Sequence, residues 1–245
     1  MLKTVIPAIM AVALTACGGG GSGSTGSTTS EEFALGAVYP STMSPMVLGK
    51  FTDSTTQYLV QAHLQYLGSG RTGPAPVKIY KLNSDGTMSD STVQILGGAT
   101  TLSTGVALVA DFNHDGIDDL FLPGFSDTQE LLPSVAFISR PGQNHIRVDL
   151  PDPVWVHGAT VFDVNRDGHL DVMTSSGEVW FNDGTGSFTF QSHHYNDVPG
   201  MWIHGSGVCT GDFNNTGNKQ LVLVDQMIDS SIGPIADTVI FELDN

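Results

Sequence analysis

Two nine-residue stretches, DFNHDGIDD from Asp111 to Asp119 and DVNRDGHLD from Asp163 to Asp171, share the pattern D-x-N-x-D-G-x-x-D. The pattern sets side-chain oxygens at loop positions 1, 3, 5 and 9 around a glycine at position 6, a spacing that wraps a chain around a hard cation, with calcium expected. Alternate residues of a tight loop face inward, so Asp111, Asn113 and Asp115 should converge while Phe112 and His114 face away. Position 7 needs to offer only a backbone carbonyl, which lets Ile117 and His169 differ freely there. Turn chemistry alone would also favour Asn, Asp and Gly, but two copies that both keep the ninth aspartate, Asp119 and Asp171, favour a metal loop. Position 12 is Leu122 in one copy and Thr174 in the other, so neither is an EF-hand. The metal is expected to brace rather than regulate, because a loop between strands has no bistable element to move.

The elements that must hold these loops are strands. VALVA before the first loop and LFLP after it are short, β-rich apolar runs without helical periodicity. The loops also recur: Asp163 follows Asp111 by 52 residues, and GDFNNTGNKQLVLV, starting at Gly211, repeats the frame 49 residues further on. There, Thr216 and Gln220 replace two carboxylates, so weak calcium binding or none is expected. An earlier copy, GKFTDSTTQYLVQA from Gly49, has Lys50 in place of the first aspartate and reads as metal-free. Downstream lie VKIYKLNSDGT, EVWFNDGTG and VIFELDN, the first two being a strand followed by an Asn/Asp-Gly hairpin turn. About four short strands per unit of about 50 residues predict an all-β chain of propeller blades.

In these motifs the chain resembles the FG-GAP/VCBS repeat family, the calcium-braced propeller repeats also found in integrin α-chain heads and in many bacterial surface proteins. The resemblance covers about residues 46 to 245 and is most specific in D-x-N-x-D-G-x-x-D followed by an apolar pair, Leu120-Phe121 or Val172-Met173. It implies calcium ligands at Asp111, Asn113, Asp115, Ile117 and Asp119, and at Asp163, Asn165, Asp167, His169 and Asp171, with Ile117 and His169 giving main-chain oxygen only. Propellers of this family usually have about seven blades, whereas four repeat starts are recognisable here. Either the sequence is a fragment of a larger propeller, or a strand from around Phe33 to Val47 completes the final blade of a small one. An incomplete propeller would expose sheet edges and an apolar blade face.

The first residues, MLKTVIPAIMAVALTACG, pair one lysine with an apolar stretch too short to span a bilayer. Leu14-Thr15-Ala16-Cys17 resembles a bacterial lipoprotein signal, in which residues 1–17 form the signal ending in the lipobox and Cys17 is the lipidated residue. Residues 18–32 are almost wholly Gly, Ser and Thr and read as a flexible tether, leaving 33–245 as the propeller region. Gly18 after the cysteine is not the aspartate of an inner-membrane retention signal, so an outer-membrane or surface location is expected. The formal net charge is −16, and removal of the signal takes Lys3 but no acidic residue. Nucleic acid is thereby excluded as a partner, since a phosphate backbone needs a basic surface. Cys209, the only other cysteine, leaves no intrachain disulfide after lipidation and reads as a buried, inert thiol in a strand.

Trp-Val-His-Gly-Ala at 155–159 and Trp-Ile-His-Gly-Ser at 202–206 precede two of the loops, so His157 and His204 could meet near a propeller axis as transition-metal ligands or as acid/base groups. The competing reading makes His-Gly a blade-edge turn with the ring against the neighbouring tryptophan. His193-His194 reads as a solvated surface pair, and no catalytic motif of the hydrolase, zinc-protease or phosphate-loop kind occurs. The sequence therefore points to a calcium-binding, lipid-anchored extracytoplasmic β-propeller that serves adhesion, envelope assembly or glycan contact, with an unknown protein or glycan partner. The alternative is part of a propeller enzyme, of lyase or dehydratase type, acting on extracellular carbohydrate.

Overall fold

The computed structural model describes residues 41–43, 45–62, 64–68, 71–98, 100–102, 104–125, 133–150, 156–192, 205–217, 219–225 and 238–242. The expectations placed on the signal, on Cys17, on the tether, on His193-His194 and on His204 lie outside the described residues. The described chain is almost entirely antiparallel sheet.

The first blade orders β2 (Met46–Gly49), β3 (Tyr58–Gln61), β6 (Lys78–Leu82) and β7 (Met88–Asp90). The second runs β9 (Leu108–Ala110), β10 (Asp119–Leu122), β11 (Ser134–Ile138) and β12 (Ile146–Leu150). The third runs β13 (Ala159–Phe162), β14 (Asp171–Thr174), β15 (Glu178–Asn182) and β16 (Phe188–Ser192). A three-stranded sheet follows, β17 (Gly205–Gly211), β18 (Gln220–Asp225) and β19 (Thr238–Glu242). First strands neighbour one another in sequence, β2 against β9, β9 against β13 and β13 against β17. The four sheets are thus successive propeller-type blades, as the repeat predicted.

Burial explains why the strands read as they do. All residues of β10, DLFL, are buried, because neighbouring blades cover both of its faces, whereas the outer strand β12 exposes most of its residues. Side chains alternate between faces: Leu120 and Leu122 join Phe51, Val60 and Ile79 of the first blade, while Phe121 joins Val172 and Trp180 of the third. In the same way Val172 faces back and Met173 faces forward to Leu221 and Leu223. Each core therefore lies between two blades, so a single repeat cannot be stable alone.

Three features depart from the sequence reading. Between β3 and β6 the chain forms a hairpin, β4 (Leu64–Gly68) and β5 (Arg71–Pro76), and a fifth sheet orders β1 (Ser41–Met43), β4, β5 and β8 (Thr101–Leu102). Gly and Pro within these strands hid them from a search for periodic apolar runs. A short helix, α1 (Thr92–Leu96), buries Ile95 and Leu96 beside the first blade. The described part of the segment from Phe33 to Val47 pairs with β4 and β3 rather than with the last blade, so these residues do not complete that sheet.

Cys209 is exposed, correcting the expectation of a buried thiol. It alternates with Val208, which packs on the apolar cluster of the last two blades, and so faces the other side of β17.

Candidate metal centre

The second, third and fourth blades join their first two strands through the three recurrent loops, whose backbones agree closely. Position 4 is left-handed in each copy, with φ of 59° at His114, 65° at Arg166 and 55° at Asn215. Position 6 is left-handed as well, at Gly116, Gly168 and Gly217, where a side chain would be strained.

Side-chain oxygens hold this shape by capturing backbone N–H groups. In the first metal-type loop, the Asp115 N–H is bonded at 3.1 Å both to Asp111 Oδ1 and to Asn113 Oδ1, which brings positions 1 and 3 together. Gly116 donates to Asp111 Oδ2 at 2.9 Å and Ile117 to Asp115 Oδ1 at 2.9 Å. The second loop repeats the scheme, with Asp167 N–H on Asp163 Oδ1 at 3.2 Å and Asn165 Oδ1 at 3.0 Å, and His169 N–H on Asp167 Oδ1 at 2.8 Å. The third keeps it too: Thr216 N–H meets Asp212 Oδ1 at 2.9 Å and Asn214 Oδ1 at 3.3 Å. Positions 1 and 3 therefore converge on one backbone N–H, whatever occupies position 5.

Position 9 has a role that the sequence did not reveal. Asp119 is wholly buried; its Oδ2 accepts the Phe112 N–H at 2.7 Å and its Oδ1 the Ser139 N–H at 2.6 Å. Asp171, equally buried, accepts Val164 N–H at 2.9 Å and Asn182 N–H at 2.9 Å. Gln220 supplies the corresponding bond from Phe213 N–H to its Oε1 at 2.7 Å. Position 9 clasps the neck of the loop, and in the two acidic copies it also ties the loop to the end of the third strand.

Ser139 and Asn182 are further site residues missed in the sequence. The Ser139 hydroxyl donates to Asp115 Oδ2 at 2.8 Å, and its carbonyl accepts from Asn113 Nδ2 at 3.1 Å. Asn182 Nδ2 donates to the Phe112 carbonyl at 2.8 Å, joining the second-blade loop to the third blade. The signal for Asn182 was its place in the NDG hairpin; Ser139 carried none.

The loop from Lys50 to Gln57 is built differently. Asp53, at position 4, accepts from the N–H and hydroxyl groups of both Thr55 and Thr56, and those threonine bonds hold its carboxyl well below the usual range. This loop docks on its neighbour instead: Lys50 N–H donates to Asp118 Oδ2 at 2.8 Å, and Asp118 N–H donates to the Lys50 carbonyl at 3.0 Å.

Burial pushes the Asp119 carboxyl up to about 6, against the pull of the Ser139 and Phe112 N–H groups and with the Asp115 charge adding to the rise. Burial raises Asp171 in the same direction, and Asp167 adds to it. The two ion pairs among the described residues, Lys78–Asp90 and Arg147–Asp149, lie outside the loops. The donor set, carboxylates with an amide oxygen and a carbonyl, suits a hard cation. Among the described residues no three Asp, Glu, His or Cys side chains gather at ligand distance, because position 3 is Asn and position 9 is engaged by the backbone.

His157 is exposed, with its ring edge-on to Phe125 at 5.4 Å between centroids. Its expected tryptophan neighbour, Trp155, and the second histidine, His204, lie outside the described residues.

Residues 64–122 match the family model described as FG-GAP-like repeat. The match runs from the β4–β5 hairpin through the rest of the first blade and the first metal-type loop into β10. No curated protein matches the chain.

Proposed function

We propose, for a chain that carries an FG-GAP-like repeat, that it is a calcium-braced binding module, lipid-anchored through Cys17 at the bacterial envelope. Its blades would present a surface for adhesion, envelope assembly or glycan contact. The observation that carries the calcium part is the shared frame of the loops, in which the oxygens of positions 1 and 3 converge on one backbone N–H. Calcium would act as a brace, because the third copy holds the same backbone without a carboxylate at position 5.

Isothermal titration of chelator-treated protein with CaCl2 tests this reading. Two sites are expected, both lost in the Asp115→Ala plus Asp167→Ala variant; fewer than two, or an unchanged isotherm in that variant, sinks it. The anchor is tested separately by fractionating cells that express Cys17→Ser, which should leave the membrane fraction.

A further inference from the structure

We propose that His114 and His169 form a two-imidazole site for a borderline transition-metal dication such as Zn2+, bridging two neighbouring loops. His114 stands at position 4 of the second-blade loop and is exposed; its left-handed backbone matches that of Arg166 and Asn215. His169 stands at position 7 of the third-blade loop, where only its carbonyl belongs to the calcium reading and the ring is left for another role. The two rings meet: His114 Nε2 lies 3.0 Å from His169 Nδ1, with centroids 5.2 Å apart and planes at 54°.

The His169 ring packs against Gly184 through its Cε1 and Nδ1 atoms. A Cβ at Gly184 would stand 2.4 Å from its ring atoms, so a glycine there leaves the slot that the imidazole fills. His114 is exposed on the surface. The facing nitrogens stand at hydrogen-bond distance, and on metal binding the donor ring would carry its N–H on its other nitrogen, so that both facing nitrogens offer lone pairs to the metal. Two bonds of about 2.0–2.1 Å meeting at about 90–110° span roughly 2.8–3.4 Å, so the nitrogens already stand at the separation of two adjacent ligands.

Ligand type separates this site from the carboxylate loops beside it. Imidazole suits zinc, copper and nickel, whereas carboxylate and carbonyl oxygen suit calcium. The formal net charge of −16 favours a cation over an anion. Among the described residues no third Asp, Glu, His or Cys joins the pair, so water completes the coordination. The site does not depend on whether the loops hold calcium.

The test is titration of the full chain with ZnCl2, in calcium-free buffer and again with saturating CaCl2, read by calorimetry and by long-range 1H–15N spectra of the imidazoles. Wild type should bind one zinc in both buffers, and the nitrogens of His114 and His169 should shift together. His114→Asn, chosen because Asn tolerates a left-handed backbone, and His169→Asn should each weaken that binding at least tenfold, with thermal unfolding in EDTA unchanged for His114→Asn. Unchanged zinc isotherms in both variants, or imidazole shifts confined to other histidines such as His193 and His194, would overturn the proposal.

Discussion

Across the neck of the first metal-type loop, the wholly buried Asp119 carboxylate accepts the Phe112 backbone N–H at 2.7 Å. Its other oxygen holds Ser139 N–H, so one side chain fastens the loop to itself and to β11. Asp119→Ala strands two buried N–H groups and should cost ~3 kcal/mol, and Gln220→Ala, which strands at least the Phe213 N–H, should cost at least ~1 kcal/mol. Urea unfolding in EDTA measures both without a contribution from metal. Equal and negligible losses would show that the clasp contributes nothing to stability.

Position 2 of the loop supplies a second comparison. Phe51 and Phe112 are covered by the following blade, whereas Phe213 is 56% exposed. Phe112 lies among Phe121 and Phe188, with centroids 6.3 and 5.3 Å away. Phe112→Ala should therefore destabilise by ~3–5 kcal/mol, and Phe213→Ala by no more than ~0.5 kcal/mol. A matched pair of denaturation curves decides it.

His145 predicts a pH effect. Its ring is buried, edge-on to Phe51 at 5.9 Å, with Nε2 3.4 Å from the Asp118 carbonyl. Burial holds its pKa below the ordinary 6.5, with the Arg140 charge adding to the fall and the Asp118 carbonyl and Asp115 charge opposing it. The folded state then binds fewer protons than the unfolded one, so stability from this residue is present above pH 6.5 and is lost as pH falls through that value. His145→Phe should flatten the slope below pH 6.5 in a series of unfolding midpoints.

Calcium gives the fourth expectation. One site that binds only the folded state should add about 2.7 kcal/mol when free calcium is a hundredfold above its Kd. With two such sites, thermal unfolding with and without CaCl2 should show about twice that gain in wild type and the single-site gain in Asp167→Ala.

The residues themselves carried the repeat. The loop frame at Asp111, Asp163 and Asp212 and the hairpin turns at Asn83-Ser84-Asp85-Gly86 and Asn182-Asp183-Gly184 are local chemistry, and local chemistry is legible in one dimension. So were the doubly buried strands, because DLFL and DVMT must satisfy a neighbour on each face. Tertiary structure decided what depends on partners distant in sequence. It seated the ninth aspartate against Ser139 and Asn182, inserted the β4–β5 hairpin into the first unit, turned Cys209 outward and brought His114 to His169 across 55 residues. Residue type and spacing set which groups a loop can offer; only the stacking of one blade on the next sets which backbone N–H, ring or solvent each of them meets.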